Sequence, residues 1–362
     1  MSKTRIAAIQ KYLKKENLDG FIFSRHESMR YLCGFSGGTP MEPDGMLIIT
    51  RKGADFLTDS RYWEQAKKEL KGARLVPVKK EVIAALEEMK KYQGKNIRYG
   101  YEADHLTCYN QRRLQENLGG AILVVTDFLI DEYNVIKERS ELELIKDAVE
   151  ISDIAFGRIL GYLKPGLREI DVAAELEYQM MMLGSEKAAF ETIIASGYRS
   201  ALPHGKASKK KIAKGDFVTF DFGATVGGYV SDITRTVVMG KATPRQKKVY
   251  GIVKRAQLAG IRKVKAGASG KAVDAAARNV IKKAGYSKYF GHGTGHGIGL
   301  MVHGKPSAGP RSKDILKRGM VLTVEPGIYI PGWGGVRIED DVLVTSTGCR
   351  VLNSAPKNLL EL

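Results

Sequence analysis

The sequence predicts two domains, an α/β domain at the amino-terminal end and a larger domain built from two related halves. The chain has 362 residues, which is more than one typical domain needs. Its first third alternates helical and strand-like patterns, as α/β domains do. The remainder repeats short motifs at nearly constant offsets of 99, 101 and 104 residues. Such offsets indicate two halves that face one another.

Composition and charge describe a globular protein with a basic surface. Hydrophobic residues form 43% of the chain, and no apolar run approaches the ~18 residues of a membrane helix, so we expect no membrane partner. The net charge of +18 is high, but the lysines are scattered and only Lys209–Lys211 form a run of three. We therefore expect a solvated basic surface and no dedicated nucleic-acid site. Three widely separated cysteines predict reduced thiols and a cytoplasmic location.

Residues 1–125 have the pattern of an α/β domain with a sheet of its own. The pattern predicts helices over 4–17, 61–70, 81–92 and 105–117, and strands at 20–23, 46–49, 74–78, 96–99 and 121–125. Ser60 is the predicted cap of the second helix. We find no catalytic group of residues in this domain.

Periodicity is lost over 126–138, which we interpret as a linker to a second domain over 139–362. Ser140, with Glu143 three residues later, predicts a capping box at the start of a long helix. The two halves of the second domain follow one plan. Helices near 169–183, 244–264 and 270–284 and a strand at 191–197 are predicted around the motifs described next.

In the stretch Gly215–Asp232, the two aspartates Asp221 and Asp232 lie within a hairpin pattern. Asp221 lies in an alternating strand and Asp232 follows a glycine-rich reversal. With a turn near Val226 and Gly227, the two carboxylates fall opposite each other. Adjacent carboxylates repel, and a cation between them removes the repulsion. The alternative is that one aspartate caps the turn while the other faces solvent.

A second stretch repeats the first at an offset of 104 residues. In KRGMVLTVEPG, Glu325 takes the place of Asp221, and a second acid, Glu339, follows in GGVRIED. His204-Gly-Lys and His303-Gly-Lys precede the two strands at an offset of 99 residues. The repeat therefore predicts that four carboxylates and two histidines meet where the halves face each other.

The segment GHGTGHGIG supplies two more histidines, His292 and His296. It is not a dinucleotide fingerprint, because its glycines alternate and no helical pattern follows. A single histidine is more often structural than functional. Three within twelve residues, His292, His296 and His303, beside a doubled acidic hairpin favour a functional site.

These motifs resemble those of the pita-bread metallopeptidases, which include methionyl aminopeptidases, aminopeptidase P and the Xaa-Pro dipeptidases. The resemblance covers roughly 138–362 and implies an α+β pita-bread catalytic domain with an internal pseudo-twofold repeat. The stretches 29–38 and 57–62 are similar to the creatinase/prolidase-type N-terminal domain, which methionyl aminopeptidases lack. The resemblance implies five metal ligands, namely Asp221, Asp232, His296, Glu325 and Glu339.

The resemblance also implies roles for the site residues. Asp232 and Glu339 would bridge two metal ions, and Glu325 would also take a proton from the bridging water. His303, with His204 and His292 nearby, would hydrogen-bond the substrate carbonyl. Arg337 lies two residues before Glu339, on the same strand face. It would bind a substrate carboxylate or the carboxylate of a metal ligand.

The expected function is therefore hydrolysis of Xaa-Pro peptide bonds by a cytoplasmic dinuclear exopeptidase. Oxygen-rich ligands favour Mn²⁺ or Co²⁺, with Fe²⁺ or Zn²⁺ as alternatives, and similar proteins suggest a homodimer. The alternatives are an Xaa-Pro aminopeptidase or broader aminopeptidase of this fold, or a noncatalytic nucleic-acid-binding or scaffold relative. Many relatives have Glu after the histidine at 303, and many prolidases have Arg four residues after it. This chain has Gly304 and Ser307 there, which bears on substrate length and affinity.

Overall fold

The computed structural model describes residues 2–39, 43–127 and 129–362, which form two compact units, 1–133 and 134–362. The division falls within the predicted linker, of which residue 128 lies outside the described residues. That stretch contains a short helix, Leu129–Asn134, so part of the predicted linker has regular secondary structure. The limits 1–125 and 139–362 for separately folding domains stay a prediction.

The first unit is an α/β domain with one mixed sheet. Its strands are β1 Gly20–Phe23, β2 Gly45–Thr50, β3 Ala54–Thr58, β4 Arg74–Pro77, β5 Arg98–Glu102 and β6 Ile122–Thr126. Its helices are α1 Ser2–Lys15, α2 His26–Cys33, α3 Trp63–Glu69, α4 Val82–Ala85, α5 Cys108–Asn117 and α6 Leu129–Asn134. Within the described residues the strand order is β4-β3-β2-β1-β5-β6, with β2 antiparallel to both of its neighbours.

Two predictions for this unit were wrong in detail. Ser60 does not cap α3: the side chain of Asp59 accepts the Arg61 backbone N–H at 2.9 Å, and the resulting turn delays the helix to Trp63. The helix predicted over 81–92 ends at Ala85 and continues as two short 3₁₀ turns. The helix α2 and the strand β3 were not predicted.

The second unit, described throughout, repeats a plan of two helices followed by antiparallel strands. Its helices are α7 Arg139–Tyr162, α8 Glu169–Met182, α9 Pro244–Lys263 and α10 Gly270–Lys283. Its first-half strands are β7 Ile193–Ser196, β8 Phe217–Phe222, β9 Thr225–Val226, β10 Tyr229–Val230 and β11 Ile233–Val238. Its second-half strands are β12 Gly295–Gly297, β13 Gly304–Ala308, β14 Val321–Val324, β15 Gly327–Ile330, β16 Gly334–Arg337, β17 Asp340–Val344 and β18 Cys349–Val351.

Each half has its own apolar core. Val218 and Phe220 of β8 pack with Phe156 of α7, and the rings of Phe156 and Phe220 meet edge to face with centroids 5.7 Å apart. In the second half, Leu322 and Val324 of β14 pack in a buried cluster with Val273 of α10. These cores support the strands independently of the polar side chains that the strands direct toward the cavity.

The long helix α7 begins earlier than predicted. Its N-cap is Glu138, whose backbone N–H donates to the Glu141 carboxylate at 2.7 Å, and these two residues form the capping box. Ser140 lies inside the first turn, so the predicted pair of Ser140 and Glu143 was wrong. Across all described helices, none combines the length and the apolar character that crossing a membrane requires.

The first acidic hairpin turns one residue later than predicted. Gly227 and Gly228 are the two turn residues, with φ of 57° and 77°, and only glycine adopts such paired positive angles readily. Asp221 therefore pairs with Thr234 rather than with Asp232. Because the shift is two residues, Asp232 stays on the same face, diagonal to Asp221.

In the second acidic hairpin, the two acids lie directly opposite each other. Val324 pairs with Asp340 and Gly327 with Arg337, so the intervening register places Glu325 across from Glu339. The two hairpins thus present their four carboxylates from neighbouring strands.

Candidate metal centre

The predicted site residues line one cavity of about 400 Å³ within the second unit. All nine are present, namely His204, Asp221, Asp232, His292, His296, His303, Glu325, Arg337 and Glu339. The cavity is also lined by residues that the sequence did not single out, among them Phe190, Glu191, Ile193, Pro203, Lys206 and Val302.

Three of the other four predicted ligands, Asp232, Glu325 and Glu339, lie close to His296. Asp232, His296 and Glu339 each offer a ligand atom, and these atoms all lie within 4.8 Å of one another. The Nε2 atom of His296 is 3.3 Å from a Glu325 oxygen and 3.7 Å from an Asp232 oxygen. The carboxylate and imidazole donors therefore surround one common point.

Ionising the carboxylates of this cluster together is energetically unfavourable. Burial raises the pKa of Asp232 and of Glu339 well above the ordinary range, and neighbouring carboxylates raise each further. Burial also raises the pKa of Glu325 and lowers that of His296. Without a cation the site therefore favours protonated acids and a neutral imidazole.

A divalent cation fits this donor set. Among the described residues, Asp232 Oδ1 and Glu339 Oε1 are buried oxygens without a hydrogen-bond partner. Buried carboxylate oxygens are normally bonded, and a metal ion is one partner that satisfies them. Carboxylate and imidazole donors together suit a divalent first-row transition ion.

Neighbouring polar groups fix the orientation of the ligands. The Thr234 hydroxyl donates to Glu339 Oε2 at 2.6 Å, and the Asp341 carboxylate accepts the Asp232 backbone N–H at 3.0 Å. The Thr323 hydroxyl donates to the Glu325 carboxylate at 3.3 Å and accepts a hydrogen bond from the backbone N–H of His296 at 3.1 Å. Such supporting bonds hold ligand side chains in place before any metal binds.

Arg337 binds a predicted ligand directly. Its guanidinium, nearly fully buried, forms an ion pair with Asp221, donates to the Tyr329 hydroxyl at 2.7 Å and donates to Thr234 Oγ1 at 2.9 Å. Of the two roles considered from sequence, the structure shows the contact with a ligand carboxylate. Its three nitrogens each already have a partner within the protein.

The remaining histidines differ in their surroundings. His292 Nε2 lies 2.9 Å from the Tyr329 hydroxyl, and burial lowers the pKa of His292. The ring of His303 lies against that of His296, tilted by 57° and with centroids 4.3 Å apart, and burial lowers the pKa of His303 too. His204 is exposed at the cavity wall. His303 and His204 are therefore open to a ligand, whereas His292 is held by Tyr329.

Sequence patterns of known families match nearly the whole chain. The pattern of metallopeptidase family M24 matches residues 143–346, and that of the creatinase/prolidase N-terminal domain matches residues 5–136. The chain belongs to metallopeptidase family M24. This confirms the resemblance drawn from the metal-ligand motifs.

Full-length relatives of this M24 peptidase are known. It is 38% identical to the Xaa-Pro dipeptidase of Pyrococcus horikoshii over 362 residues, or 98% of each chain. The solved Xaa-Pro dipeptidase from Bacillus anthracis is 42% identical, has a TM-score of 0.93 and covers 100% of both chains. The X-Pro aminopeptidase from Thermotoga maritima is 36% identical, with a TM-score of 0.89 over 99% of both chains. The predicted fold class, an α/β N-terminal domain with a pita-bread catalytic domain, is confirmed.

Sequence reasoning missed the residues that support the M24 site. Thr234 follows Asp232 by two positions, and Tyr329 follows Glu325 by four, so each shares a strand face with a predicted ligand. A search of the positions two and four residues from each acid would have found Thr234 and Tyr329. Phe190 and Lys206 lie in loops, where no such spacing exists.

Proposed function

We propose that this protein is a metal-dependent peptidase that hydrolyses Xaa-Pro dipeptides. The observation that carries the proposal is the group Asp232, His296 and Glu339, whose ligand atoms lie within 4.8 Å of one another and include two buried oxygens without a hydrogen-bond partner. Asp221 and Glu325 line the same cavity. The full-length similarity to two Xaa-Pro dipeptidases supports the choice of substrate.

The five ligands Asp221, Asp232, His296, Glu325 and Glu339 would hold two divalent ions. Their oxygen-rich donors favour Mn²⁺ or Co²⁺, with Fe²⁺ or Zn²⁺ as alternatives. When bound, such ions supply Lewis-acid polarisation of the scissile carbonyl and lower the pKa of a water molecule.

The side chains of the protein then move protons and orient the substrate. Glu325, buried and with a raised pKa, accepts a proton from the attacking water and returns it toward the prolyl nitrogen. His303 and His204 donate hydrogen bonds to the carbonyl oxygen as negative charge develops there. His292 is held by Tyr329 and shapes the cavity wall.

Location and assembly are part of the same proposal. The three cysteines, all within the described residues, are free thiols, which supports a cytoplasmic location. We propose a homodimer in which the amino-terminal unit contributes to assembly. Light scattering at micromolar concentration tests it, and a monomer would refute it.

Comparing Met-Pro with Met-Ala tests the substrate proposal. Manganese-loaded protein should hydrolyse Met-Pro and leave Met-Ala nearly intact. Equal rates would point to a broader aminopeptidase, and no hydrolysis of either peptide would refute the proposal. An Xaa-Pro aminopeptidase is the second candidate, supported by the similarity to the Thermotoga maritima enzyme, and it would accept longer peptides equally well.

A further inference from the structure

A Xaa-Pro dipeptide carries its free carboxylate one residue from the scissile bond, so its cavity needs a cation nearby. Among the described residues that line the cavity, the lysine and arginine side chains are Lys206 and Arg337 alone. Arg337 is committed to Asp221, Tyr329 and Thr234. This leaves Lys206 as the cation that can turn toward a ligand.

The cationic residues that follow His303 in the sequence lie elsewhere. Neither Lys305 nor Arg311 is among the described residues of the cavity lining. Ser307 is tied to Asp314, whose carboxylate accepts its N–H at 2.8 Å and its hydroxyl at 3.1 Å. Among the described residues, the segment after His303 therefore contributes no arginine or lysine to the cavity lining.

The backbone at Lys206 is firmly placed next to His204. The Lys206 carbonyl accepts a hydrogen bond from Arg199 Nη2 at 2.6 Å. Arg199 in turn pairs through Nε with Glu169 at 2.9 Å, and the Glu169 side chain is fully buried. The segment is thus anchored to the interior, and Lys206 lines the cavity.

Among the described residues, the side chain of Lys206 pairs with an exposed partner. Its ammonium pairs with Glu191, and the two side chains are 70% and 61% exposed. Exposed ion pairs contribute little to stability, so the ammonium can leave Glu191 at small cost. Its flexible four-carbon stem allows the movement.

We propose that Lys206 binds the free carboxylate of the substrate and sets the preference for dipeptides, with Glu191 as its partner in the empty enzyme. This inference rests on the proposed function. The substrate's amino group is positively charged, so Lys206 selects the carboxyl end. A charge-assisted hydrogen bond to an anion is stronger than a neutral one.

The variant Lys206→Met, assayed on Met-Pro and on Met-Pro amide, tests the proposal. We expect kcat/KM for Met-Pro to fall about tenfold, mainly through KM, which is the lower range for a hydrogen bond to a charged group. The amide lacks the carboxylate, so its kcat/KM should change less than about twofold, which also shows that the variant folds. Lys206→Arg should retain most of the preference.

Lys209→Met is the matched control, because Lys209 is exposed, lies three residues away and is outside the cavity lining. It makes the same change in net charge and should leave both substrates unaffected. An equal loss with Lys209→Met would assign the effect to the general surface charge and overturn the proposal. So would an equal effect of Lys206→Met on Met-Pro and its amide.

The partner residue gives an independent result. Glu191→Gln frees Lys206, so kcat/KM for Met-Pro should rise by up to about fivefold, the upper range for an exposed pair, with no change for the amide. Impairment of both substrates would assign Glu191 to the amino end and overturn the proposal. Wild-type protein that cleaves neither substrate refutes the proposed function itself, whereas cleavage independent of Lys206 refutes this inference alone.

Discussion

Replacing Arg337 by methionine should destabilise the metal-free catalytic unit far more than most single substitutions. The change removes the ion pair with Asp221 and the bonds to Tyr329 and Thr234. Removing one partner of a buried ion pair costs about 3–5 kcal/mol, because the other charge stays buried. The two neutral acceptors keep other partners, since Tyr329 bonds His292 and Thr234 bonds Glu339, so their losses add only about 1 kcal/mol each.

The free energy of unfolding should therefore fall by about 5–7 kcal/mol. Denaturant unfolding in the presence of a chelator measures it, with circular dichroism as the probe and the full chain as the sample. Arg337→Lys is the matched control, because an ammonium can keep the Asp221 pair while losing the other two bonds, at about 2 kcal/mol. Equal unfolding midpoints for the wild type and Arg337→Met would refute the reasoning. So would an equal loss in the free energy of unfolding for Arg337→Met and Arg337→Lys.

Three further predictions concern the metal, the amino-terminal unit and substrate length. Glu339→Ala should abolish turnover and lower the bound metal while circular dichroism stays native, because the strands keep their apolar packing; full activity with two ions bound would contradict this. Burial raises the pKa of the Glu102 carboxyl to about 7. The protonated carboxyl therefore stabilises the folded unit fully below the unfolded pKa of about 4.3. This stabilisation, on the order of 3 kcal/mol, should be lost as the pH rises through about 7. Glu102→Gln should remove this dependence, as measured by hydrogen exchange of β5, and an unchanged pH profile would count against it. Met-Pro should be preferred over Met-Pro-Gly by less than about a hundredfold, or ~2.7 kcal/mol, because a flexible lysine rather than a fixed arginine meets the carboxylate; a larger ratio of kcat/KM would show a tighter anchor.

That the four acids would line one cavity could be predicted from sequence, because acids inside apolar strands are conspicuous and strand geometry is strict. Asp221 and Glu325 each stand in an alternating run, so their side chains had to share the face that carries the second acid. The repeat at a constant offset then brought the two hairpins together. These inferences needed only the period of a strand and the likeness of two segments.

Register was harder, because it depends on which residues form the turn. Placing the turn one residue early shifted the partner of Asp221 by two, from Thr234 to Asp232. The error was harmless to the site since an even shift preserves the face. An odd shift would have moved one aspartate to the opposite side of the sheet.

Contacts between residues in loops could not be found, since loop positions follow no period. Lys206 and Glu191 come from different segments and meet only in three dimensions. Arg337 was placed correctly on its strand, but its role depends on contacts that spacing does not specify. Ser140 shows the same limit, because only the structure reveals that Glu138 and Glu141 form the capping box.

Measurement of Met-Pro hydrolysis and bound metal on the same samples tests most directly whether the carboxylate cluster is a catalytic metal centre. Protein stripped with a chelator is titrated with Mn²⁺, and Glu339→Ala is carried through in parallel. We predict no hydrolysis by the stripped protein, activity that rises with bound manganese to two ions per chain, and none from the variant. Full hydrolysis by protein without bound metal would contradict the assignment.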